Sequence, residues 1–401
     1  MLAFLYFVQM LNNLPKMLMI SWNNMMSLPK CLSSSSSSSS SPSPNTSLRL
    51  EITVISETPP ILWMTPDDVT KQAITVNVSI CHVATRWVSW KLDDDVTRES
   101  AHCSRVFRLE AIHVAHRVTA TMLKAHGVAP ITISGIIHSW KPFWIAAIGD
   151  SFSSGQGNPD VAMEHGKPAK WLDDKCYRSS KAFPYQISSK IPKSVLTFLS
   201  CSGATVDHGI LSKNGQMEHL EKMITARGAS PDVLFLTIGG NDIGFGDVIS
   251  MVQRDTVDEK IFDMRFFFVS HQIDRVAWKL RDLNITRVVL LDYYDVTRNE
   301  DGVVDASCGA FGQVSLSNLQ LAERKILRNL NNLLRRKSLQ YGWITVSTTD
   351  IFRTRGSCSK CSLIRSRNES LDLQGNEYGS FHPNEEAHRR ISNQILKTLK
   401  L

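Results

Sequence analysis

Four short clusters in the sequence hold the residue types that acyl transfer needs. The apolar run Phe143–Ile148 leads into Gly149-Asp150-Ser151-Phe152-Ser153-Ser154-Gly155, and Val195–Leu199 leads into Ser200-Cys201-Ser202-Gly203-Ala204-Thr205. Val233–Ile238 leads into Gly239-Gly240-Asn241-Asp242, and His382-Pro383-Asn384 precedes a closing amphipathic stretch. Acyl transfer requires a nucleophile, a base that removes its proton, and donors aimed at the oxyanion that forms on the attacked carbonyl. A serine just past a strand's carboxyl end lies at the rim of an α/β sheet, where such folds place reactive groups. A lone Gly-Asp-Ser carries little, since strand-ending turns favour the same residues. The weight rests on all four clusters in order.

The elements that must position them follow from hydrophobic periodicity. Phe143–Ile148, Val195–Leu199, Val233–Ile238, Val288–Asp292 and Trp343–Ser347 read as buried parallel strands alternating with helical patterns. One such pattern is the stripe Leu319, Ala322, Ile326, Leu330, Leu333, and another is the closing helix Pro383–Leu401. Residues 141–401 are thus expected to form an α/β unit, a three-layer α/β/α sandwich on a parallel sheet. Residues 48–140 instead alternate with period two, as in Ile74-Val76-Val78-Ile80 and Val88-Trp90-Leu92, which predicts a small β-sandwich of immunoglobulin or fibronectin type. Residues 1–47 carry six of the 13 methionines and the serine run Ser33–Ser41, a composition that reads as a disordered head and flexible linker. With 401 residues, 42% apolar and 21% charged, wholesale disorder, collagen and coiled-coil architectures are excluded. A net charge of +7 spread along the chain does not argue for nucleic acid.

In order and setting, the four clusters resemble the Ser, Gly, Asn and His blocks of the SGNH hydrolases, the GDSL esterase and lipase superfamily. Trp171 with Cys176-Tyr177-Arg178-Ser179, and Cys201-Ser202-Gly203-Ala204-Thr205, resemble segments of its secreted actinobacterial branch. The resemblance implies a flavodoxin-like parallel sheet, Ser151 as nucleophile and His382 as base. It also implies an oxyanion hole made of the Ser151 and Gly203 N–H groups and the Asn241 amide, with no metal and no organic cofactor. Where many members carry an aspartate three residues before the histidine, this chain has Gly379. Either a backbone carbonyl of the 377–380 segment orients the imidazole, the favoured reading, or Glu377 or Asp372 swings in as third member. No Gly-x-Ser-x-Gly occurs, which disfavours the α/β-hydrolase elbow.

The neighbouring residues have plainer readings. Asp150 is expected to organise the nucleophile's turn, with Asp242 doing the same beside Asn241. His388 and His208 are read as exposed, and the basic stretch around Arg324–Lys337 as a solvated helix face. Trp87 and Trp90 alternate with Val88, which leaves room for a glycan contact through the β-domain, although a tryptophan in a sandwich core is the commoner case. Among the eight cysteines, Cys81 with Cys103 and Cys176 with Cys201 are spaced as loop-closing disulfides, and Cys308 is expected to pair with Cys358 or Cys361 rather than these two binding metal. Cys31, in the head, is left unpaired. Disulfides and the sequons at Asn45, Asn77, Asn284 and Asn368 favour a secreted glycoprotein, although Met1–Leu11 is a weak signal segment or follows a misassigned start. No stretch is apolar enough for an integral membrane span. The expected activity is hydrolysis of lipid or general acyl esters, with activity rising through a histidine pKa near neutrality. The alternatives are a carbohydrate O-acetylesterase and a binding or adhesion protein with a weak hydrolase domain.

Overall fold

The computed structural model describes residues 49–401 apart from 56–60, 71–72, 82–86, 94, 96–97, 101, 110–114, 123–128, 139–141, 254–258 and 313. The head, with Cys31 and Asn45, lies outside the described residues.

Two antiparallel sheets come first. One has the order β1 (Glu51–Val54), β3 (Ile74–Ser79), β6 (Ser104–Leu109). The other has the order β5 (Arg98–Ser100), β4 (Val88–Leu92), β7 (His116–Met122), β8 (Ile131–Ile137). Period-two alternation turns Val76, Val78, Val88, Val118 and Ala120 into a shared core. Trp90 of β4 meets Phe107 of β6 edge-on at 6.3 Å and is buried, while Trp87 is half exposed.

The second body is a parallel sheet in the order β13 (Ile344–Val346), β12 (Val288–Leu291), β11 (Val233–Leu236), β9 (Phe143–Ile148), β10 (Ser194–Phe198), β2 (Ile61–Leu62). Its strands are nearly continuous in Val, Ile, Leu, Phe and Ala because helices cover both faces. Phe183–Lys190 and Glu385–Leu399 pack on one side, and Gln216–Arg227, Glu259–Asp282 and Arg328–Tyr341 on the other.

Two features depart from expectation. The stretch 61–70 falls within the span assigned to the β-sandwich, yet β2 pairs in parallel with Val195 and Leu196 of β10. Trp63, which is buried, then meets Trp144 edge-on at 5.8 Å, and the Arg227 guanidinium lies 5.5 and 4.9 Å from the two ring centroids. The stripe from Leu319 onward is helical, but Ala322–Leu327 forms a π-helical segment between Leu316–Leu321 and Arg328–Tyr341. Its basic residues are not all solvated: Lys337 is buried against Asp274 at 2.5 Å, and Arg335 reaches buried Asp292 at 2.5 Å.

Candidate active site

Strand β9 ends at Gly149, whose φ of +143° and contact with Thr237 leave no room for a side chain: a Cβ would lie 2.3 Å from the Thr237 hydroxyl. Asp150 then caps the short helix Ser151–Ser154, its Oδ1 accepting the Phe152 N–H at 3.0 Å and the Thr237 hydroxyl at 2.9 Å. Its other oxygen accepts the Tyr293 hydroxyl, which in turn accepts the Gly240 N–H at 2.9 Å. Burial pushes the Asp150 carboxyl up, opposed by these three bonds, and pushes the Tyr293 phenol well above its ordinary value. The turn role expected for Asp150 is thus present. Tyr293 extends it by joining the nucleophile turn to the glycine turn after β11.

Ser151 and His382 meet, although 231 residues separate them: Oγ lies 2.8 Å from Nε2. The other ring nitrogen, Nδ1, lies 3.0 Å from the Ser380 carbonyl. A carbonyl oxygen only accepts, so Nδ1 carries the proton and Nε2 is left to accept from the serine hydroxyl. The group facing Nδ1 in the structure is thus a backbone carbonyl. Glu377 is engaged by Arg367, and Asp372 is exposed on the helix Arg367–Gln374. Burial pushes the imidazole down to about 4, with the backbone bonds at Ser380 and Gly379 opposing it. Among the described residues no carboxylate offsets that desolvation, and the neutrality-centred titration expected from an ordinary histidine is accordingly displaced downward.

The segment carrying His382 is held from several sides. Arg365 N–H donates to the His382 carbonyl at 2.7 Å, and the Tyr294 hydroxyl donates to the Phe381 carbonyl at 3.1 Å. Phe381 takes φ +62°, a conformation that non-glycine residues seldom adopt, immediately before the histidine. Gln156 donates to the Tyr378 carbonyl and accepts from the Ser202 hydroxyl, so one side chain ties the nucleophile loop to both neighbouring clusters.

Gly203 follows Cys201 and Ser202, and the Cys176–Cys201 disulfide, with the Ser202 N–H donating to the Cys176 carbonyl at 3.1 Å, holds that loop. The φ of +75° at Gly203 suits glycine, and nothing would touch a Cβ there. Among the described residues, neither the Ser151 nor the Gly203 backbone N–H donates to a protein acceptor. Asn241 Nδ2 donates one hydrogen to the Ala204 carbonyl at 3.0 Å, which aims the amide and leaves its second hydrogen available. Asp242 accepts the Val206 N–H at 2.8 Å and thereby clamps the asparagine turn to the glycine loop. Burial raises its carboxyl to about 6.

Beside Ser151 and His382 opens a cavity of about 160 Å³. Phe152, Ile243, Val248, Phe311, Ile326 and Leu330 make its wall largely apolar, and the π segment supplies Ala322, Glu323, Ile326 and Leu327. Buried Glu323 is held by Arg298 at 2.9 Å and Arg328 at 3.0 Å.

The remaining assignments divide. Disulfides join Cys81 to Cys103 and Cys308 to Cys358, and Cys361 is likewise disulfide-bonded, so the Cys-x-x-Cys pair is not a metal half-site. His208 is exposed, as expected. His388 is not: it is wholly buried, stacked on Phe183 at 6.1 Å, with Nδ1 accepting the Phe183 N–H at 3.3 Å. It shares the inward face of the last helix with Ile391 and Ile395, and burial pushes its imidazole down to about 3. Tyr293, Thr237 and Gln156 were missed by sequence reasoning. Asn284 and Asn368 are exposed and Asn77 is half-buried, and among the described residues no helix is long and apolar enough to cross a membrane.

The model of the GDSL-like lipase/acylhydrolase family matches residues 147–390. A lipase of Streptomyces rimosus is 32% identical over 104 residues, covering 26% of this chain and 32% of that protein. Lipase 1 of Streptomyces coelicolor is 34% identical over 104 residues, with the same coverage. The matched stretch thus spans about a third of these curated relatives. Among solved structures, phospholipase A1 from Streptomyces albidoflavus NA297 is 22% identical with a TM-score of 0.47, over 65% of this chain and 100% of that one. The extracellular lipase of Streptomyces rimosus is 20% identical with a TM-score of 0.45, over 64% and 98%. By the family match across more than half its length, the chain belongs to the GDSL-like lipase/acylhydrolase family.

Proposed function

We propose that this protein is a serine hydrolase that cleaves carboxylic esters of apolar acids through an acyl-enzyme on Ser151. The observation that carries the reading is the 2.8 Å pairing of Ser151 Oγ with His382 Nε2 at the mouth of an apolar cavity. Oγ attacks the ester carbonyl carbon as its proton passes to Nε2, and the carbonyl π pair moves onto oxygen. The Ser151 and Gly203 N–H groups and the Asn241 amide stabilise that oxyanion. Collapse breaks the bond to the alcohol oxygen, which leaves with the proton from Nε2. Water then repeats the sequence on the acyl-serine, with His382 again taking the proton, and releases the acid. The Ser380 carbonyl fixes the tautomer but stabilises the imidazolium less than a carboxylate would.

The cavity speaks for the acid rather than the alcohol. A dry cavity of about 150 Å³ accepts a benzene-sized guest, so the space beside Ser151 suits an acyl chain of about six carbons. An acetyl group would leave most of that wall unused, which favours lipid or general acyl esters over acetylated sugars. The disulfides and the exposed sequons at Asn284 and Asn368 support a secreted, glycosylated protein, with the antiparallel sheets as an accessory unit.

A fluorophosphonate probe should label the wild type and not Ser151→Ala, and a p-nitrophenyl ester series should peak near hexanoate. Absence of labelling in folded protein overturns the enzyme, and hydrolysis of acetate alone overturns the acyl preference.

A further inference from the structure

The helix Glu259–Asp282 is apolar on two opposite faces over its first half. At about 100° per residue, Phe262, Val269, Ile273, Val276 and Leu280 form the inward face, and all five are buried. Ile261, Met264, Phe267, Phe268 and His271 fall within an arc of about 120° on the other side. There Met264, Phe267 and Phe268 are 62%, 59% and 58% exposed. Phe267 contacts both Phe268, with centroids 5.9 Å apart, and His271 at 4.4 Å, so an aromatic cluster stands preassembled in water. An outward face of this kind marks an interaction surface rather than ordinary scatter.

Its position says what it meets. Arg265, on the same turns, donates to the Ile243 carbonyl at 2.8 Å and pairs with Asp247 at 3.0 Å, clamping the patch to the 243–247 segment. That segment carries Phe245, which is exposed on one side and lines the cavity beside Ser151 on the other. Phe245 thus belongs both to the segment that Arg265 ties to the helix and to the cavity wall. Nearby charge is small: Arg265 is matched by Asp247, and Lys260 stands against Glu259 and Asp263.

We propose that this face docks the enzyme on an uncharged or zwitterionic lipid surface, so that an acyl chain passes from the aggregate past Phe245 into the cavity. The proposal rests on the ester-hydrolase reading of that cavity. Met264, Phe267 and Phe268 insert at the boundary of the acyl region, and attraction to anionic headgroups contributes little.

The test separates docking from catalysis. The full chain carrying Ser151→Ala is sedimented with phosphatidylcholine vesicles, with and without Met264→Ser, Phe267→Ser and Phe268→Ser together. The triple substitution should cut binding about tenfold or more, while binding of the parent changes less than twofold between 0.05 and 0.5 M NaCl. In the Ser151 enzyme, the triple variant should keep its rate on dissolved p-nitrophenyl butyrate within twofold and lose about tenfold on emulsified tributyrin. Single Met264→Glu should show the same split and guards against misfolding of the triple variant. Unchanged vesicle binding, steep loss of binding with salt, equal loss on both esters, or a dimer abolished by the triple substitution would overturn the docking proposal. A wild type inert on dissolved ester overturns the hydrolase reading instead, and the vesicle measurement still reports on the patch.

Discussion

At the scale of single residues, the proposed site divides its labour between Ser151 and His382, which exchange the proton, donors aimed at the oxyanion, and several residues that hold position. Asn241 is the clearest test of the oxyanion assignment, because its amide is aimed by the Ala204 carbonyl and shares no bond with Ser151 or His382. Asn241→Ala should lower kcat about a hundredfold or more, roughly 3 kcal/mol of transition-state stabilisation, with KM and melting temperature little changed. The His382 base gives a second test through pH. It is active when neutral, so kcat/KM should rise with pH through about 4 and stay flat from about 5.5 to 8. A stopped-flow or pH-stat profile checks this, and an acid limb centred near 6.5 would mean that the ring is better solvated than its surroundings indicate. The clusters holding the residues proposed as nucleophile, oxyanion donors and base could be read from the sequence, because three of them follow apolar strands and the histidine precedes the closing helix. Tyr293 could not. Its bond to Asp150 spans 143 residues and exists only because β9 and the ends of β11 and β12 lie side by side.

At the scale of elements, the five long parallel strands were legible as apolar runs because helices bury both faces of the sheet. Two-residue β2 is too short to leave a period. The π segment is an adjustment of a helix whose apolar stripe continues unchanged through it, so periodicity gave no sign of it. His388 was misread by its spacing from His382, although its spacing from Ile391 and Ile395 places it on the buried face. Its titration has a measurable consequence. The folded state holds this imidazole neutral down to about pH 3, whereas the unfolded chain binds a proton near 6.5. Unfolding is thus favoured progressively as pH falls from about 6.5 towards 3, by on the order of a few kcal/mol. His388→Gln keeps an acceptor for the Phe183 N–H but does not titrate. Its stability, from urea unfolding at pH 8, 6 and 4.5, should decline less steeply with acid than that of the wild type. Parallel slopes would contradict the assignment.

At the scale of the whole molecule, residues 61–70 matter more than their length suggests, because they leave the antiparallel sheets to complete the parallel one. A fragment of residues 141–401 would keep every residue of the site. It would lose β2, the Trp63 ring packed on Trp144, and the short helix Pro66–Thr70 against Gln216–Arg227. Burial of Trp63 alone contributes about 3 kcal/mol, so the fragment should melt about 5–10 °C below the full chain. It should also self-associate through the bared edge of β10. Calorimetry and light scattering check both, and a monomeric fragment with an unchanged midpoint would show the two bodies to be separable. The same crossing constrains synthesis. Leu62 leaves the ribosome about 130 residues ahead of Leu196, its partner in β10. At cellular elongation rates that gap lasts roughly ten seconds, during which the tryptophan beside it has nowhere to hide and must wait, shielded by a chaperone or by transient contacts, for the other half of its pairing to be made.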